Sequence, residues 1–266
     1  ESRISGKDRF VATDFIRFIV KAWQHPDTPF FLCLDEMNLA PVEQYFAEYL
    51  SAIETRRLYN GKIKTDALIS ADLITKYADK TDGVDSNYEL WNQIKLTDTV
   101  IQNELKANGL GLPSNLIVIG TVNMDETTHS FSRKVLDRAM TIEMNDINLS
   151  EGLETDADNW NYPEEPLQKE LVLTAKTQGT EVFAELSTTG VDIIAYLDLI
   201  NTKLEGSPFK IAYRVRDEFL LYAFNYSLLE TKPVDWLRIV LDEMTLMKIL
   251  PRIEGDDDKT KLLDEL

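Results

Sequence analysis

Phe30-Phe31-Leu32-Cys33-Leu34-Asp35-Glu36 is the stretch on which the fold turns. Its first five residues are a continuous apolar run between Pro29 and Asp35. A run with both faces apolar reads as a buried strand of a parallel sheet. The acidic pair then stands at the carboxyl end of that strand, in the crevice where open α/β sheets bind ligands. One carboxylate there can hold Mg²⁺, directly or through its water, and the other can polarise an attacking water. A solvated acidic turn is the competing reading of the same two residues. Cys33, the one cysteine of the chain, is expected inside this strand as a small core residue, which fits a reducing, cytoplasmic setting.

Working outward, residues 12–24 carry Phe15, Phe18, Ile19 and Ala22 on one stripe and predict a helix capped by Thr13 or Asp14. Residues 42–56 predict a second helix. Residues 57–112 are polar and irregular, with turn signals at Asn60-Gly61, Asp82-Gly83 and Asn108-Gly109. A hairpin near Asn60-Gly61 and short helices over 70–79 and 97–107 are expected there. Leu116 to Gly120 is a second buried strand, and Met140 to Met144 is read as a third, after a short helix over 130–138. Residues 146–165 read as an acidic linker. Helices are expected over 166–176, 190–204, 214–230 and 234–249. The fold class is therefore α/β first and all-α second.

The second strand leads into Asn123, whose amide suits orienting a water or touching a terminal phosphate, and equally suits a turn. Arg138 follows a short helix and is a candidate arginine finger, with Arg133 the alternate. A surface pairing of Arg138 with Asp137 or Glu143 is the other possibility. Arg214 and Arg216 open an apolar helix and can reach phosphates, or pair with Asp217 and Glu218. His25 and His129 are far apart and there is one cysteine, so no zinc site is expected.

Taken together, Phe30 to Arg56 resembles the Walker B strand and following helix of McrB-type AAA+ proteins, in the wider group of MoxR, midasin and dynein relatives. Ile119 to Ala139 resembles the same family's sensor 1 strand and arginine-finger turn. Tyr213 to Glu218 is similar to its sensor 2 region, and Lys248 to Gly255 to the segment closing its helical lid. The resemblance implies a partial AAA+ core, a parallel sheet with flanking helices, over residues 1–147, with an insertion at about 57–112. It implies a linker and all-α lid subdomain over 148–266. It assigns Asp35 to Mg²⁺, Glu36 to the same ion and to the role of catalytic base, Asn123 with Asp125 to sensor 1, Arg138 to a finger acting in trans, and Arg214 or Arg216 to sensor 2. The family's phosphate loop, G-x-x-x-x-G-K-[ST], has no match: Gly6-Lys7 runs into Asp8, and Gly61-Lys62 has no glycine five residues earlier. The loop is expected upstream of residue 1, as the opening Glu1 also suggests, and the piece alone is expected to be inactive.

By this resemblance the intact protein is a GTP- or ATP-hydrolysing motor of a McrBC-like, modification-dependent DNA restriction system. It would form a homo-oligomeric ring of the hexameric kind, work with a McrC-like nuclease subunit, and reach DNA through domains outside this chain. A MoxR-like remodelling chaperone and a non-catalytic scaffold are the alternatives. Composition constrains the choice. The formal charge of −18 argues against a broad basic face for nucleic acid. No run of eighteen apolar residues predicts a membrane span, and no leader is visible at Glu1.

Overall fold

The apolar run does form a strand, and the second one pairs with it. In the computed structural model, which describes residues 10–78, 89–123, 131–144 and 176–253, β1 (Phe30–Leu34) lies parallel to β6 (Leu116–Gly120). The register aligns Phe30 with Leu116 and Leu34 with Gly120, so both strands end at the same level. Between them in the chain come α2 (Val42–Tyr45), α3 (Ala47–Glu54), β2 (Arg57–Tyr59), β3 (Lys62–Lys64), β4 (Ala67–Ile69), α4 (Ala71–Ala78), α5 (Leu90–Gln93), α6 (Thr99–Asn108) and β5 (Leu110–Gly111). Helix α1 (Asp14–Gln24) precedes them, and its N-terminus is capped by the Thr13 hydroxyl accepting from Ile16 N–H.

Two expectations about β1 are corrected. It is not covered on both faces. Phe30, Leu32 and Leu34 are half-buried, whereas Phe31 is 56% exposed and Cys33 is exposed. Side chains alternate across a strand, and described elements pack on one face only. There Leu34 and Val118 meet Val42, Phe46 and Val135. Cys33 is thus a surface thiol among the described residues and not a core residue.

The stretch read as irregular supplies more than half of the core of the first unit. Ile69, Ile74, Tyr77, Leu90, Ile94, Leu96, Leu105 and Leu110 pack against Ile16, Ile19 and Val20 of α1. Each such side chain, once fully buried, contributes about 1.5–3 kcal/mol. Gly109 makes the α6-to-β5 junction possible: its φ is +77°, and a Cβ there would lie 2.5 Å from the Ile69 carbonyl oxygen. The hairpin at Asn60-Gly61 forms as expected between β2 and β3.

The helix read over 42–56 breaks at Phe46 (φ −114°, ψ 12°) into α2 and α3. The helix read over 130–138 is the single turn α7 (Arg133–Leu136). The third strand does not form. Met140 to Met144 carries no regular structure, and Ile142 and Met144 are 74% and 87% exposed. Thr141 N–H bonds the Met247 carbonyl, but no described strand offers a ladder. The expected linker 146–165 and nearly all of helix 166–176 lie outside the described residues.

The chain divides at Arg138 into two compact units. The regular structure of the second, among its described residues, is helical and without strands: α8 (Phe183–Leu186), α9 (Thr188–Lys203), α10 (Tyr213–Ser227) and α11 (Trp236–Met244), the last running into a π-helical turn over Thr245–Ile249. Ile193, Leu197, Phe219, Leu220, Val240 and Met244 form its core. Mixed α/β architecture with a small parallel sheet is what the sequence pattern predicts. No helix among the described residues is long and apolar enough to cross a membrane.

Candidate functional site

Parallel pairing with matched ends brings the two predicted polar turns side by side. Asp35 and Glu36 leave β1 as Thr121, Val122 and Asn123 leave β6. The Asn123 side-chain amide points at Glu36 Oε1, a long contact at 3.4 Å. Asp35, Glu36 and Asn123 are thus brought together. Asp125 lies outside the described residues.

The chain folds tightly here for visible reasons. Glu36 adopts a left-handed backbone (φ 49°, ψ 48°), which a residue with a side chain enters at a cost of about 1–2 kcal/mol. A turn of 3₁₀ helix, Met37–Leu39, follows. Gly120 leaves room for it: a Cβ at that position would sit 2.0 Å from Met37 Sδ. Asn38 is 1% exposed and donates from Nδ2 to the Asn123 carbonyl at 3.0 Å. Its Oδ1 is buried and has no hydrogen-bond partner among the described residues. Tyr45 donates its hydroxyl to the Met37 carbonyl at 2.8 Å. Asp35, Glu36 and Tyr45 line an open depression with Cys33 and Leu39.

The donor set fits one kind of cation. Among the described residues no group of three or more His, Cys, Asp or Glu side chains could hold a metal by itself. Two adjacent, exposed carboxylates suit Mg²⁺, which keeps several waters and takes further oxygens from substrate phosphates. Asp35 and Glu36 are the residues that would hold it.

Arg138 is not turned toward this pair. Its Nη2 lies 2.5 Å from Glu54 Oε1, and Nη1 donates to the Lys134 carbonyl. Its side chain is 15% exposed, and Nε is buried with no hydrogen-bond partner among the described residues. The acid that holds it is at the end of α3, not the local Asp137 or Glu143. Arg133 is exposed at the start of α7.

In the helical unit, Arg216 donates from Nε and Nη2 to Asp217 Oδ1 at 2.8 and 2.6 Å, and lies over the Tyr213 ring. This is the local pairing that the sequence allows. Arg214 is exposed one turn before Glu218. Burial pushes the Glu218 carboxyl up, opposed first by Lys248 and then by Arg214 and Arg252. Lys248, 1% exposed in the π-helical turn, lies 2.9 Å from Glu218 Oε2 and donates to the Ala139 carbonyl at 2.7 Å.

Sequence reasoning passed over Thr121, Asn38, Glu54 and Asn115. The first two flank the motif residues and carry no chemistry of their own. Glu54 is one of many acids. Asn115 looks like a turn residue, yet it is buried and donates to the carbonyls of Ala22, His25 and Thr28.

A family model described as Domain of unknown function (DUF8727) matches residues 173–266, which include the helical unit from Gly179 onward. No curated protein and no solved structure matches the chain.

Proposed function

We propose that this chain supplies the cation-and-water half of a nucleoside triphosphatase of the McrB-type AAA+ kind. The observation that carries the reading is the convergence of Asp35, Glu36 and Asn123 at the aligned ends of two parallel strands. Asp35 would hold Mg²⁺, which when bound would supply positive charge against the phosphates. Glu36 draws the proton from the attacking water. Asn123 keeps the Glu36 carboxylate aimed and takes its place beside the terminal phosphate. The Gly-rich phosphate cradle that such an enzyme also needs has no match to its pattern within these 266 residues. Arg138 acts on a neighbouring subunit's nucleotide and leaves Glu54 to do so, which makes a head-to-tail ring the working assembly. Arg214, exposed at the head of α10, is the lid cation, with Arg216 the alternate. On this reading the substrate is GTP or ATP, and the motor serves a McrC-like nuclease in DNA restriction.

Hydrolysis of GTP and of ATP by the intact protein, with Mg²⁺ and with chelator, tests this. Cation-dependent release of phosphate from one or both nucleotides is expected. No turnover of either refutes the enzymatic reading and favours a scaffold, to which the Arg138–Glu54 pair within one chain would also be suited.

A further inference from the structure

One residue that the motif reading leaves out holds the whole acidic turn. Thr121 bonds each of four consecutive residues, 34 to 37. Its N–H donates to the Leu34 carbonyl at 3.0 Å, and its carbonyl accepts from Met37 N–H at 3.0 Å. Its hydroxyl donates to Asp35 Oδ1 at 2.6 Å and accepts from Glu36 N–H at 2.8 Å. The bond to Leu34 extends the parallel ladder and the bond from Met37 N–H skips one residue past it, and both use main-chain atoms that any non-proline residue would offer. The two hydroxyl bonds are specific to a side chain that is donor and acceptor at once.

Each hydroxyl bond has a separate consequence. The bond to Asp35 is a charge-assisted one of short length, which fixes the carboxylate rotamer and leaves Oδ2 as the free oxygen. The bond from Glu36 N–H satisfies the one amide that the left-handed turn at Glu36 takes out of the ladder. A β-branched residue is stiff about χ1, so the hydroxyl stays where the turn needs it.

We propose that Thr121 is a positioning residue of the half-site. Through one hydroxyl it sets the Asp35 carboxylate that takes the cation and the Glu36 backbone that presents the base. The inference rests on the functional reading above and adds to it a residue that touches neither water nor nucleotide.

The test compares Thr121→Val and Thr121→Ser with the unsubstituted chain. Valine keeps the branched shape and the backbone bonds and removes the hydroxyl alone. Amide exchange is followed by NMR on the 266-residue chain. The Glu36 amide is expected to exchange about five- to tenfold faster in Thr121→Val, the worth of one modest hydrogen bond. Amides within β6 stay unchanged, and serine restores the protection. In the intact protein, Thr121→Val is expected to lower kcat about 10- to 100-fold with KM altered little, and Thr121→Ser to recover most of it. Unchanged Glu36 exchange in Thr121→Val overturns the inference, whatever the turnover. Faster exchange with full kcat, in a protein that Glu36→Gln inactivates, overturns it too. Turnover that survives Glu36→Gln overturns the functional reading instead, and this inference falls with it.

Discussion

Arg138 shows how much depends on one side chain's partner. Its guanidinium is held by Glu54 and the Lys134 carbonyl in its own chain, and an arginine finger must exchange that partner for phosphate. In the intact protein Arg138→Ala is expected to lower turnover by about 10³-fold or more, the worth of such a finger elsewhere. Mixing Arg138→Ala subunits with Glu36→Gln subunits should restore activity, because each supplies what its neighbour lacks. A steady-state phosphate assay on the mixture checks this; an unaffected Arg138→Ala protein would move the role to Arg133. At this scale the motif residues were legible: Asp35, Glu36 and Asn123 were named from residue type and position, and the folded chain brings them together. Thr121 and Asn38 were not. A hydroxyl or amide that works by bonding its neighbours has no spacing to betray it until the strands are aligned.

Elements were legible where one period dominates. The stripe of α1 and the apolar runs of β1 and β6 gave their types and nearly their limits. Met140 to Met144 failed because a strand is a pairing as well as a pattern, and no described strand pairs with it. The core built from residues 67–112 was missed because its apolar residues are scattered over three short helices and two short strands. Asn115 belongs to this scale as well. Its amide closes the carboxyl end of α1 onto the start of β1, with the Asn115 carbonyl accepting from Phe30 N–H at 2.8 Å. Asn115→Ala removes three side-chain hydrogen bonds at once; the Ala22 and His25 carbonyls keep the His25 and Thr28 N–H groups, and the Thr28 carbonyl loses its Asn115 donor. It is expected to destabilise the first unit by about 1–3 kcal/mol, seen as a lower urea midpoint with an unchanged m-value.

For the molecule as a whole, charge and burial set the conditions under which it stays folded. Burial holds the Tyr49 phenol up at about 12, with Arg56 beside it pulling the other way. The folded chain therefore keeps a proton that the unfolded chain gives up near 10. Stability from this group is full below about pH 10 and is lost as pH rises toward about 12. Denaturant midpoints measured over that range should fall, and Tyr49→Phe should remove this part of the slope. The formal charge of −18 argues against a broad basic face for DNA, and the functional signal the proposal rests on is the turn that carries Asp35 and Glu36. That signal reduces to one carboxylate. Glu36→Gln in the intact protein, assayed for hydrolysis and for nucleotide binding side by side, tests it most directly. Loss of hydrolysis with binding retained is the result expected; undiminished hydrolysis would contradict the assignment of Glu36, and with it the half-site.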